Sequence, residues 1–107
     1  MAFMKSSSST KFFGVGNGNL WERIWVEKYH QWQWVNHGKP PGLLSGERLH
    51  STPCVIGDGK LFVVTTHSRL FERVWDGYHK KWSWVKHGKP FGDVSVHTTK
   101  CVTSHGM

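Results

Sequence analysis

A chain of 107 residues with a formal charge of +7 has room for one domain, and about two thirds of its unfolded surface can be buried. No apolar run approaches the roughly 18 residues of a membrane span, which argues against membrane insertion. The first ten residues lack the apolar stretch of a signal peptide, and two cysteines are too few for a disulfide framework, so the chemistry leans towards a cytoplasmic protein or leaderless secretion.

In chain order, residues 1–10 read as a flexible tail or an expression remnant, and residues 11–107 as a single domain. From Lys11 onward the sequence repeats itself. Leu20-Trp21-Glu22-Arg23-Ile24-Trp25 falls on Leu70-Phe71-Glu72-Arg73-Val74-Trp75 at an offset of fifty, and Trp32-Gln33-Trp34-Val35 falls on Trp82-Ser83-Trp84-Val85. His37-Gly38-Lys39-Pro40 falls on His87-Gly88-Lys89-Pro90, and 12 of the 23 positions from Leu20 to Gly42 are identical without a gap. Such self-similarity marks a duplicated structural unit. At the same offset Lys11-Phe12-Phe13 falls on Leu61-Phe62-Val63, and Cys54-Val55 matches Cys101-Val102 at an offset of 47. Repeat one is assigned to 11–52, repeat two to 53–92, and a closing strand to 95–107.

Each repeat reads as strand throughout. Pro53 to Ile56 is a short β-rich run closed by Gly57-Asp58-Gly59, and Leu61 to Thr66 is a second strand. In Leu70 to Trp75, alternation places Leu70, Glu72 and Val74 on one face and Phe71, Arg73 and Trp75 on the other. Lys81 to Lys86 is a fourth strand with Trp82 and Trp84 on one face, and Asn17-Gly18 is a tight turn in the first repeat. The expected fold class is therefore all-β: a β-propeller built from two four-stranded antiparallel blades per chain and completed by oligomerisation. A β-sandwich of two halves and a trefoil-like arrangement are the alternatives. Two blades cannot close a ring, so a homo-oligomer is expected. A trimer with six blades is preferred over a dimer with four, and the carboxy-terminal strand of one copy would complete the first blade of the next.

The tryptophans carry the functional reading. Flat apolar sugar faces stack on Trp or Phe, and sugar hydroxyl pairs suit a carboxylate or a guanidinium. Each repeat places an aromatic (Trp21, Phe71), a carboxylate (Glu22, Glu72), a guanidinium (Arg23, Arg73) and a further Trp (Trp25, Trp75) in one strand, with Trp34 and Trp84 in the next. These ten are the candidate carbohydrate-binding residues. Against this, the same tryptophans suit packing between blades, and Glu with Arg suits structural ion pairs. Glu and Arg are consecutive, so they point to opposite faces of a strand and serve one cleft only from neighbouring blades.

The run Leu-aromatic-x-Arg-x-Trp, followed by a Trp-x-Trp strand and a Gly-Lys-Pro loop, resembles the repeats of sugar-binding propeller lectins. These include the fungal fucose-lectin group and bacterial lectins with Trp-rich blades. The resemblance runs over nearly the whole chain from Lys11. It implies a multivalent glycan-binding protein without catalysis, in which Arg23 or Arg73, Glu22 or Glu72, and a tryptophan hold the sugar between adjacent blades.

No cofactor, metal or catalytic set is expected. Eight histidines lack ligand spacing, and His37 and His87 read as turn or packing residues. The glycines Gly14, Gly16 and Gly18 precede no helix and so make no phosphate loop. Cys54 and Cys101 read as two buried thiols, one per repeat. Two other functions fit the composition: a structural or protein-interaction propeller module, or a basic single-stranded nucleic-acid binder, the latter disfavoured because the lysines are scattered.

Overall fold

The computed structural model describes residues 11–50, 52–57 and 59–89 in full and the backbone of residues 3–5. Among these the chain is all-β, with one 3-10 turn at Glu27–Tyr29 and no helix long and apolar enough to cross a membrane. The strands are β1 (Phe3–Lys5), β2 (Lys11–Gly16), β3 (Asn19–Val26), β4 (Gln31–Gly38), β5 (Cys54–Gly57), β6 (Lys60–Val64), β7 (Leu70–Asp76) and β8 (Lys81–Gly88). They form two antiparallel sheets, ordered β1-β2-β3-β4 and β5-β6-β7-β8, so each sheet is a meander of chain neighbours.

The turns explain the local choices. β2 passes to β3 through Asn17-Gly18, whose φ angles of 54° and 78° are the two positive values of a primed hairpin turn. The His-Gly-Lys-Pro motif closes β4 and β8. There Gly38 and Gly88 both sit at φ 73°, and the register slips by one residue opposite Leu20 and Leu70. The repeated motif thus encodes a repeated β-bulge, with glycine at its left-handed position.

Pairing fixes the two faces of each sheet. In the first, Phe13 pairs with Glu22 and Glu22 with Val35, so these share a face with Lys11, Leu20 and Ile24. Phe12, Trp21, Arg23, Trp25, Trp32 and Trp34 share the other. The second sheet has the same two faces, one bearing Lys60, Phe62, Leu70, Glu72 and Val74, the other Leu61, Phe71, Arg73, Trp75, Trp82 and Trp84. We call them the carboxylate face and the arginine face.

This register corrects the sequence alignment at one strand. Phe12 pairs with Arg23 in the first sheet, and it is Leu61, not Phe62, that pairs with Arg73 in the second. The counterparts of Lys11, Phe12 and Phe13 are therefore Lys60, Leu61 and Phe62, at an offset of 49. The extra residue lies between β6 and β7: Val15 pairs with Leu20, whereas Val64 pairs with Leu70 across a loop one residue longer.

The two sheets pack carboxylate face to arginine face. Phe13 and Leu20 of the first meet Leu61, Val63 and Phe71 of the second, with Leu49 from the linker, in one buried cluster flanked by Trp82 and Trp84. Burying each such side chain stabilises the fold by about 1.5–3 kcal/mol. The linker is itself anchored on the second sheet. His50 N–H donates to Val64 O at 3.0 Å, Thr66 N–H to Arg48 O at 2.8 Å, and the buried Glu47 carboxylate is gripped by Arg69 and Thr65.

Two further expectations are corrected. Cys54 is disulfide-bonded rather than a thiol, and the only other cysteine of the sequence, Cys101, lies outside the described residues. Equivalent positions in a repeat gave no information on whether two sulfurs approach. Phe3–Lys5, read as part of a tail, forms β1: Phe3, Met4 and Lys5 pair with Gly14, Phe13 and Phe12. β1 thus takes the edge of the first sheet that the carboxy-terminal strand of another copy was expected to fill. The expected closing strand, 95–107, lies outside the described residues.

Candidate functional site

Three charged residues of the repeat recur with their partners. Glu22 Oε1 lies 2.8 Å from His37 Nε2, and Glu72 Oε1 lies 2.9 Å from His87 Nε2. The Lys11 ammonium is 3.7 Å from Glu22 Oε2, and Lys60 is 3.5 Å from Glu72 Oε2. On the opposite face the Arg23 guanidinium lies 4.8 Å from the Trp34 ring centroid, and Arg73 lies 4.8 Å from that of Trp84. Trp25 meets Trp32 edge to face at 5.6 Å, and Trp75 meets Trp82 at the same distance.

The sheet interface joins the carboxylate cluster of the first repeat to the arginine cluster of the second. Arg73 Nε–H donates to His37 Nδ1 at 3.2 Å, so Glu22, His37 and Arg73 form one chain of hydrogen bonds across the interface. Trp82 packs edge-on against His37 at 4.9 Å. Burial among these aromatic groups holds the Arg73 guanidinium below its ordinary pKa.

Beside this junction the sheets leave a cleft of about 430 Å³. The first sheet lines it with Lys11, Glu22, Ile24 and Val35, and the second with Gly59, Trp75 and Trp82. It therefore combines two indole rings, aliphatic side chains and one ion pair. A second, more open hollow of about 330 Å³ lies on the exposed arginine face of the first sheet, between Trp21, Trp34, Gly16 and Asn17. Trp21 is oriented there by donating Nε1–H to Gly16 O at 3.1 Å.

The ten residues expected to bind sugar are thus distributed over four places. Glu22 and Trp75 line the cleft between the sheets, and Arg73 and Trp84 lie in the interface beside it. Phe71 is fully buried in the core, a packing position. Trp21, Arg23, Trp25 and Trp34 lie on the outer arginine face of the first sheet, and Glu72 lies on the outer carboxylate face of the second. Sequence reasoning left Lys11, Trp82 and His37 out of the site. The signal for His37 was its recurrence beside the bulge glycine, which aims the ring at the glutamate of the neighbouring strand. Among the described residues no cluster of His, Cys, Asp and Glu could hold a metal ion.

Comparison with models of known protein families, with curated proteins and with solved structures finds no match to this chain.

Proposed function

We propose that the protein is a carbohydrate-binding lectin without catalysis, that its two sheets are blades of a β-propeller, and that glycans occupy the cleft between blades. The observation that carries the glycan reading is the cleft itself, where Trp75 and Trp82 stand opposite Lys11 and Glu22. An apolar sugar face stacks on an indole, while ring hydroxyls meet the lysine ammonium and the second carboxylate oxygen of Glu22. The contribution of Glu22 is partial, because its first oxygen is held by His37.

The packing of unlike faces supports the propeller. A sandwich of duplicated halves related by a twofold axis would bring the same face of each half inward. Here a carboxylate face meets an arginine face, an arrangement that repeats by rotation. The first strands β1 and β5 also approach each other, as the inner strands of neighbouring blades do.

Trp75→Ala tests the site, because Trp75 is 40% exposed and its loss spares the core. On a glycan array the parent protein gives hits, Trp75→Ala loses them, and Trp75→Phe restores part of the signal. An array without hits, or hits unchanged in Trp75→Ala, contradicts the reading.

A further inference from the structure

We infer that the cleft selects a neutral sugar through two hydroxyls on neighbouring ring carbons, one held by the Lys11 ammonium and the other by the Glu22 carboxylate. The inference rests on the lectin reading above and names the class of sugar that the cleft takes.

Lys11 and Glu22 are the charged side chains among the described residues that line the cleft. Lys11 Nζ stands 3.7 Å from Glu22 Oε2, beyond hydrogen-bond length, so the two attract without saturating each other. An ammonium only donates and a carboxylate only accepts, whereas a hydroxyl does both. One hydroxyl serving both groups through bonds of about 2.8 Å would hold them at less than a right angle, well short of tetrahedral. Two hydroxyls on adjacent carbons remove that strain. Lys11 donates to one oxygen, and the other hydroxyl donates to Glu22 Oε2.

The pair is aimed and shielded. His37 holds Glu22 Oε1 at 2.8 Å, which leaves Oε2 for the ligand. The Lys11 and Glu22 side chains are 23% and 4% exposed, against 50% and 11% for Lys60 and Glu72, so water competes less at the pair in the cleft. An acidic sugar would gain at Lys11 what it loses against the buried Glu22, which favours a neutral one. The stacking wall is fixed as well. Trp75 N–H donates to Gly59 O at 2.8 Å, and the Trp82 ring meets Trp75 edge to face at 5.6 Å. Gly59 leaves the room for this, since a Cβ there would lie 3.0 Å from Trp75 Cβ. A sugar stacked on this wall turns the rim that carries its hydroxyls to Lys11 and Glu22, and groups already in place lose little freedom on binding it.

Competition against an array-selected glycan tests this on the 107-residue chain. The probes are the methyl glycosides of glucose, galactose and mannose, their monodeoxy forms, and the methyl glycoside of glucuronic acid. The expected result is that at least one neutral glycoside competes, and that removing either of two neighbouring hydroxyls weakens it by about tenfold or more, as for hydrogen bonds to charged groups. In Lys11→Met the intact sugar weakens to a similar degree, and removing the hydroxyl that faces Lys11 then costs nothing further. If Lys11→Met does not fold, the deoxy series on the parent protein decides alone. Deoxy forms that compete as well as the intact sugars, a preference for the glucuronide, or array hits that none of these glycosides displaces each overturn the inference and leave the lectin reading standing. An array without hits overturns both.

Discussion

Arg73 donates its Nε–H to Nδ1 of His37, and this one bond fixes the state of the ring between the two sheets. A guanidinium only donates, so Nδ1 is an acceptor and Nε2 carries the hydrogen, which it donates to Glu22. His37 therefore connects a carboxylate on one sheet to a guanidinium on the other.

Removing the donor exposes how much that connection holds. Arg73→Ala is expected to lower stability to urea by about 2 kcal/mol, in the range for hydrogen bonds to charged groups, with further loss from its contact on Trp84. Arg23→Ala, its equivalent on the outer face, is expected to cost less than about 0.5 kcal/mol. Equal losses in the two variants would show that the interface does not depend on this bond.

The bulge glycines make a second test. A Cβ at Gly38 or Gly88 meets nothing within 4 Å, so the cost of Gly38→Ala is backbone strain alone, about 1–2 kcal/mol at φ 73°. Gly38→Asn is expected to lose less, because asparagine tolerates the left-handed region. Thermal unfolding of the two variants side by side gives the ordering.

Glu47 sets the acid behaviour of the linker. Its carboxyl is lowered from 4.5 to about 2, chiefly by the Arg69 hydrogen bonds, then by the Leu44 amide and the Thr65 hydroxyl, with burial opposing them. Because the folded value lies below the unfolded one, the stabilisation is complete above about pH 4.5. It is lost as the pH falls towards about 2, where the unfolded chain has already taken up its proton. Glu47→Gln is expected to cost about 3 kcal/mol at pH 7, since it leaves a largely buried Arg69 without its carboxylate. The gap between the two urea midpoints should narrow from pH 5 to pH 2; a constant gap would mean that Glu47 acts through packing alone.

Salt separates glycan from nucleic acid. Stacking of a neutral sugar changes little between 50 and 200 mM salt, whereas a phosphate-dominated contact weakens steeply. Tight binding of single-stranded oligonucleotides that persists at physiological salt would favour the nucleic-acid reading, given the +7 charge.

Much of this was legible where physical constraints are local. The alternation of Leu70 to Trp75 gave both faces of β7, and Asn17-Gly18 gave the turn from β2 to β3, because side-chain period and φ preference act within a few residues. The offset at β6 was not legible, since Lys11-Phe12-Phe13 reads as strand against either Leu61-Phe62-Val63 or Lys60-Leu61-Phe62. A residue added to the loop before Leu70 changes the pairing without changing the hydrophobic pattern. Glu47 was missed because its partners, Thr65 and Arg69, lie 18 and 22 residues away. Strand period put consecutive Glu and Arg on opposite faces of a strand, and Glu22 and Arg73 are joined from neighbouring sheets through His37. That the bridging group would be His37 depended on a bulge whose register only the fold supplies.

In the proposed lectin a glycan lies between the sheets, against Trp75 and Trp82. Titrating an array-selected glycan into ¹⁵N-labelled protein and following the indole N–H resonances tests it most directly. Saturable shifts are expected at Trp75 and Trp82 that vanish in Trp75→Ala, with Trp21 moving little. Shifts confined to Trp21 and Trp34 would place the sugar in the outer hollow instead and rule out binding between the sheets.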